Sequence, residues 1–260
     1  MSIGRKLFMA GVVLSTLATA AGDQAGAADA VIPLPSAVKA QLDKYLGPGV
    51  VGEPVAAPPL MAAEDYLPHK GSTLTYRVLE KDEDPRTEIH KVEDTTDPRF
   101  APGWRYVADP LGALYLQKAS DGGAAIVGEE DRDNEVLSRF TPGEPLMIVG
   151  LKPGESRKVS VNVQVAELSD PKKITHKGTL EVTYTYIGAY KVTVPAGSFD
   201  AELIRWDYRG SVGPADIEQT DYRLIAPHAG MVAMVQNRHV SAMLIYNDKR
   251  KLGKLLQSSK

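Results

Sequence analysis

Five histidines, His69, His90, His176, His228 and His239, are the first residues to weigh for chemistry in this 260-residue chain. Imidazole titrates near neutrality and is a frequent metal ligand. None of the five stands in an HExxH pair, and a chain without cysteine offers no CxxC, so no local metal signature is present. His228 and His239 would share a metal only by meeting across a hairpin whose strands are residues 231–236 and 240–246. The acidic run EEDRDNE, residues 129–135, has the Asp-x-Asp-x-Glu spacing of a calcium loop. It then fails at the sixth and twelfth positions, where Val136 and Pro142 replace the required Gly and Glu, and it reads as a solvated acidic turn. Nucleophilic catalysis has no better footing: there is no GxSxG elbow, and Ser198 in AGSF lies in a turn that its glycine already explains. Among the many carboxylates no pair is privileged for acid–base work, although spatial pairs need not be close in sequence. The expectation is therefore no catalytic residue, no metal and no cofactor.

Aromatic and methionine side chains are the remaining signal. Trp206, Tyr208, Tyr222, Met231, Met234, Met243 and Tyr246 fall on neighbouring C-terminal strands and could line an adaptable apolar pocket. The same residues would serve an ordinary core.

The elements that must position these residues follow from periodicity. In KVSVNVQVAEL, Val159, Val161, Val163 and Val165 alternate with polar residues, and in TLEVTYTYIG, Leu180, Val182, Tyr184 and Tyr186 do the same. Weaker period-two runs fill most of the chain from Leu74 to Tyr246, separated by short turns at 121–123, 142–143, 153–154, 196–197 and 228–230. Many strands joined by short loops imply antiparallel pairing. The fold expected is mainly β: a curved antiparallel sheet forming a half-barrel, barrel or sandwich, with the barrel-like curl preferred because it leaves no flat edge. The stretch GAYKVTVPAGSFDAELIRWDYRG predicts a hairpin in which Pro195 ends one strand and Gly197 turns into the next. Ile204, Trp206 and Tyr208 then share one face, and Leu203, Arg205, Asp207 and Arg209 the other, with Asp207 expected to pair an arginine across the sheet surface.

Outside this region the chain divides by composition. Residues 1–30, with Arg5 and Lys6 followed by the nearly uncharged LFMAGVVLSTLATAA, predict a cleaved signal peptide, too short in its apolar part to span a bilayer. Small-x-small sites end at Ala20, Ala27 and Ala30. Residues 31–60 predict a short helix, with Ser36 as N-cap, Val38, Leu42, Tyr45 and Leu46 on one stripe and Gly47 as its stop, followed by a Pro/Gly-rich linker. Residues 61–250 form the β domain, and residues 251–260 a basic tail read as a solvated helix end. Without cysteine there is neither a disulfide framework nor a lipid-modified N-terminus, so the expected product is free in a bacterial periplasm, with no stable membrane insertion after signal cleavage. A net charge of -3 and the absence of a long basic run outside the tail argue against nucleic acid.

The segments LKPGES (151–156), VTVPAGSFDAELIRWD (192–207) and YRLIAPHAGMV (222–232) together resemble an uncharacterised family of bacterial exported β proteins marked by a VPAG[ST]FDA hairpin. That resemblance implies a curved antiparallel sheet around an apolar interior, like a periplasmic lipoprotein-carrier half-barrel. The chain departs from the family pattern where Arg223 and Leu224 replace an expected aromatic and His228 enters the turn. The function expected is a soluble, non-enzymatic periplasmic protein that binds an apolar or amphiphilic, lipid-like ligand or an envelope partner. The alternatives are an interaction module with a filled core and a hydrolase whose residues converge only in three dimensions.

Overall fold

The computed structural model describes residues 30–80, 83–242 and 246–260; the expected signal peptide and Met243 lie outside the described residues, and the side chain of Tyr246 with them. Two helices and fourteen strands follow one another as β1 (Ala30–Val31), α1 (Ser36–Leu46), β2 (Val51–Ala57), α2 (Ala63–Tyr66), β3 (Thr73–Glu80), β4 (Arg86–Asp94), β5 (Trp104–Asp109), β6 (Gly112–Lys118) and β7 (Ala124–Asp131). The second half is β8 (Val136–Met147), β9 (Ser156–Glu167), β10 (Ile174–Val194), β11 (Gly197–Val212), β12 (Ala215–Ala226), β13 (Gly230–Ala242) and β14 (Tyr246–Ser259). No described helix is long and apolar enough to cross a membrane.

Strands β3 to β14 pair antiparallel in sequence order, and β14 pairs with β3, so the sheet closes into a 12-stranded barrel. Of the three forms open to the sequence this is the closed one, and neither a half-barrel nor a sandwich is formed. Closure removes the exposed edges that so many consecutive strands would otherwise leave.

The C-terminal segment is a correction. It is no helical tail but strand β14, laid between β13 and β3. Leu252, Leu255 and Leu256 have helix-like spacing, yet all three are buried in a strand covered on both faces: Leu252 and Leu256 point into the barrel, Leu255 out beneath α1. The linker departs from expectation in part, because Val51–Ala57 forms β2 and pairs with the distal half of β10.

Strand β10 is 21 residues long because it serves two neighbours on one side: β9 along residues 174–185 and β2 along residues 189–192. Its register shifts between Tyr186 and Gly188. There the backbone takes φ +155° at Gly188, a value side-chain-bearing residues rarely adopt. Past this bulge the β10–β11 hairpin reaches over the outer wall, and at its Pro195–Ala196 turn the Ala196 N–H donates to the Leu256 carbonyl at 3.2 Å. The hairpin is thus a clasp that holds the last strand. Helix α1 lies under it, with Val38, Leu42 and Leu46 buried against Leu203, Tyr222, Leu224, Val235 and Leu255. Ser36 is its first helical residue, makes no side-chain cap bond, and Gly47 ends it. The helix docks closely because Gly253 has no side chain; a Cβ there would stand 2.2 Å from the Tyr45 carbonyl oxygen.

The segment from Leu60 to Pro68, carrying α2, crosses the barrel end where the β6–β7, β8–β9 and β12–β13 turns lie. Leu60 N–H donates to Leu151 O (3.0 Å), Gly150 N–H to Leu60 O (2.8 Å), Ala63 N–H to Gly122 O (3.2 Å) and His228 N–H to Asp65 O (2.7 Å). These bonds satisfy backbone groups that a buried loop would otherwise leave orphaned. Leu60 and Tyr66 are buried with Leu116, Ile126, Phe140, Val161, Val163, Leu180, Val182, Tyr184, Tyr186, Ile204 and Trp206. This is the apolar part of the barrel interior.

Candidate functional site

Register fixes which side chains point inward. Trp206 stands opposite Asp221, Asp221 opposite Gln236, Gln236 opposite Leu252 and Leu252 opposite Glu80, so one row around the wall mixes apolar, polar and charged residues. Bonds between strands that are not neighbours confirm it, since they must cross the interior. The Tyr208 hydroxyl on β11 donates to Glu144 Oε1 on β8 at 2.5 Å, and the Tyr76 and Tyr106 hydroxyls on β3 and β5 meet at 3.4 Å. The interior is therefore not uniformly apolar, contrary to the expectation drawn from the resemblance.

The charges form two groups. On β3, β4 and β14, Glu88 accepts from Lys254, from Arg86 Nη2 (3.3 Å) and bonds His90 Nε2 (3.2 Å). Glu80 accepts from Arg86 Nη1 (2.7 Å) and from Arg250 Nε and Nη2 (2.8 and 3.1 Å). Tyr76 and Tyr106 enclose the His90 ring at centroid distances of 4.7 and 5.2 Å. Burial works to raise Glu88, but the bonds from His90 and Lys254 outweigh it and hold the carboxyl down at about 2. Burial pushes His90 below its ordinary value. Every carboxylate here has a cation.

On β7, β8, β12 and β13 the matching is incomplete. Arg223 lies 3.5 Å above the Trp206 ring and donates Nη2 to Asp221 (2.9 Å), whose oxygens also accept from Gln219 Nε2. Glu144, beside it, has no cation bonded to it among the described residues, and burial pushes it up to about 7, with Glu129 and Asp221 adding to the rise while Tyr208 and Arg223 oppose it. Glu129 makes no hydrogen bond or ion pair among the described residues, and the same holds for Arg238. The field of Arg238, Arg223 and Asp221 nevertheless reaches Glu129 from strands on the opposite wall.

Glu129 shows what lies between the walls. The protein surrounds it closely enough that desolvation, reinforced by Asp131, raises its pKa, yet its surface remains open to solvent. Both hold when the side chain faces a hollow inside the barrel. Leu114, Tyr106, Ser138 and Gln236 are likewise inward by register and only half-buried.

Of the residues expected to line an apolar pocket, Trp206 and Tyr208 point inward, 6.3 Å apart by ring centroids. Met234 also points inward but packs with Val78 and Leu252, and Met231 is partly buried between that group and the core under α1. Tyr222 points outward, buried beneath α1, because it falls at the opposite parity of β12 from Asp221 and Arg223. The seven do not form one pocket. Asp207 bonds Arg205 of its own strand (2.8 Å) and Thr220 (2.9 Å), not an arginine across the sheet. His228 lies in the turn before β13 and His239 nine residues beyond its first residue Gly230, a span of about 30 Å at strand rise, too far to share a metal.

Arg223 was visible in the sequence only as a departure from the family pattern. Glu144 was hidden by Pro142-Gly143, which reads as a turn. Instead β8 runs through it with a bulge: Gly128 faces Arg139 and Ile126 faces Glu144, so the four residues 140–143 of β8 stand against Val127 alone and Glu144 turns inward.

The chain matches no known family and no curated protein. Three solved structures are similar to it. One, from Bacteroides fragilis and provisionally described as an exported protein with YmcC-like fold, is 14% identical with a TM-score of 0.47 over 76% of this chain and 100% of its own. A provisionally described lipoprotein of Parabacteroides distasonis is 12% identical, TM-score 0.39, over 78% of this chain and 99% of its own. The hypothetical lipoprotein YmcC of Escherichia coli is 8% identical, TM-score 0.40, over 86% and 96%. The resemblance to a VPAG[ST]FDA family rests on the motif residues alone.

Proposed function

We propose that this chain is an exported, non-enzymatic binding protein that holds a small amphiphilic ligand inside its barrel. The observation that carries the reading is that Glu129, inward by register and raised by burial, keeps solvent-accessible surface and has no bonded partner among the described residues, from which we infer a hollow inside the barrel. Binding groups left unpaired by the fold are available to a ligand, and a part-apolar, part-polar wall matches an amphiphile better than a long lipid tail. The apolar run LFMAGVVLSTLATAA behind Arg5 and Lys6, in a chain without cysteine, supports export into the periplasm as a free protein.

Catalysis by paired carboxylates fits less well. Glu129 and Glu144 share the hollow, but burial moves both in the same direction, whereas an acid–base pair needs its two members pushed apart. Docking of a partner through α1 also fits poorly, because its apolar stripe is already covered by the barrel.

Titration of the purified protein with N-phenylnaphthylamine, a neutral amphiphile that fluoresces in apolar surroundings, tests the reading. Saturable binding is expected, and Leu114→Trp, which fills the hollow, should abolish it while the melting temperature holds. A flat titration of the unmodified protein would overturn the proposal.

A further inference from the structure

The orientation of Arg223 carries a more specific statement about the ligand, one that rests on the lumen reading above. The guanidinium is fixed from two directions: its face lies on Trp206 at 3.5 Å, and Nη2 is bonded to Asp221, itself fully buried and tied by Gln219. Its Nη1 has no protein partner among the described residues, while 15% of the side chain remains accessible. A planar fork held rigidly with one edge unused is the arrangement that binds an oxyanion with little loss of rotamer freedom. Arg238, four residues along β13 from the residue opposite Arg223, supplies a second unpaired guanidinium on the same wall. In the paired network on the adjoining strands β14, β3 and β4, by contrast, Arg86, Arg250 and Lys254 all donate to Glu80 or Glu88.

We propose that the polar group of the bound molecule is an oxyanion, a carboxylate or phosphate monoester, seated on the free edge of Arg223 with Arg238 as the second cation. Asp221 does not compete for the site, since its oxygens are engaged by Arg223 and Gln219. Glu144 is the group that would repel an anion, and it faces Tyr208 on β11, Tyr184 on β10, Arg223 and Asp221 on β12 and Glu129 on β7. Burial keeps it largely protonated below about 7, so the repulsion weakens as pH falls.

Displacement of N-phenylnaphthylamine by four eight-carbon amphiphiles tests the assignment. Octanoate and octyl phosphate should displace the probe at concentrations about tenfold below octanol, the size of one charge-assisted bond, and octylammonium should be weaker than octanol. Octanoate should also tighten from pH 8 to 6.5, a range in which it stays ionised. Arg223→Gln should erase the preference for the anions and leave octanol unchanged. Because that variant strands Asp221, Arg223→Gln with Asp221→Asn provides the same reading without a buried unpaired carboxylate. Equal displacement by all four, or preference for octylammonium, overturns the oxyanion assignment and leaves the lumen reading standing. No binding of the probe or of any amphiphile overturns both.

Discussion

Glu88 and Glu144 are the same residue type, both inward and both buried in one barrel, yet they are driven in opposite directions, to about 2 and about 7. Burial raises both. The difference lies in what stands opposite: Glu88 is bonded by Lys254, Arg86 and His90, whereas Glu144 receives only a neutral hydroxyl from Tyr208. The comparison separates charges that the fold uses from charges that it leaves for something else. On the β3–β4–β14 wall the groups satisfy one another, as a structural network must if it is to survive desolvation. Between β7–β8 and β12–β13, which face each other across the barrel, Glu129 and Arg238 have no bonded partner among the described residues. These two groups, left unpaired by the fold, are the ones on which the proposed ligand site rests.

Removal of Glu88 has the largest expected effect. Glu88→Ala leaves Lys254 and Arg86 facing a gap in a buried wall, and a loss of about 3 kcal/mol is expected in denaturant melts. Replacing both members, Glu88→Met with Lys254→Met, should recover most of it, because an apolar pair of similar volume needs no charge balance. If the double variant is as unstable as the single one, the network is not a matched pair.

The pH dependence sharpens the contrast by sign. A carboxyl raised in the folded state keeps a proton that the unfolded chain releases above 4.5, so its stabilisation is present below that value and is lost as pH rises through about 7. Glu144 and Glu202, the latter buried beside Tyr66 of α2, both behave this way. Each accounts for up to roughly 3 kcal/mol, because every tenfold change in proton affinity between the folded and unfolded chain is worth about 1.4 kcal/mol. Glu88 has the reverse sign: its contribution is present above 4.5 and is lost as pH falls toward about 2. Stability should therefore be greatest near pH 5 and decline toward pH 8, and Glu144→Gln and Glu202→Gln should each flatten that decline. Melting temperatures that are level from pH 5 to 8 would contradict it.

What was legible in the sequence is what alternation can express. Val161, Val163, Leu180, Val182, Tyr184 and Tyr186 are inward and buried as their period requires, and the Pro195–Ala196 turn falls where the prolyl ring and Gly197 place it. The charged walls were illegible because their alternation is inverted. In β4 the inward residues are Arg86, Glu88, His90 and Val92, while Ile89 is 44% exposed, so a reading that sends apolar side chains inward chooses the wrong face. In β12, Tyr222 and Leu224 are buried outward only because α1 covers them, which leaves Asp221 and Arg223 to the lumen. Neither arrangement can be read from a strand alone, since each depends on an element distant in the chain.

Smaller substitutions test the open wall from within. Tyr208→Phe removes the hydrogen bond to Glu144, and about 1 kcal/mol of stability should be lost. Since that bond favours the ionised carboxyl, Glu144 should titrate still higher in the variant, observable as a change in the titration midpoint of its carboxyl resonance.

Glu129→Gln carries the smallest expected effect and the most informative sign. The carboxylate has no bond to lose, and the amide lacks the charge that the surrounding protein disfavours, so stability at pH 8 should hold or rise by about 0.5 kcal/mol. The same change at Glu88 removes a partner from two cations and must destabilise. Opposite signs for one substitution at two inward glutamates would separate a wall that supports the fold from a wall that awaits a ligand. A loss of several kcal/mol from Glu129→Gln would mean that its carboxylate is held by the fold after all, and that the hollow beside it is part of the structure rather than a binding site.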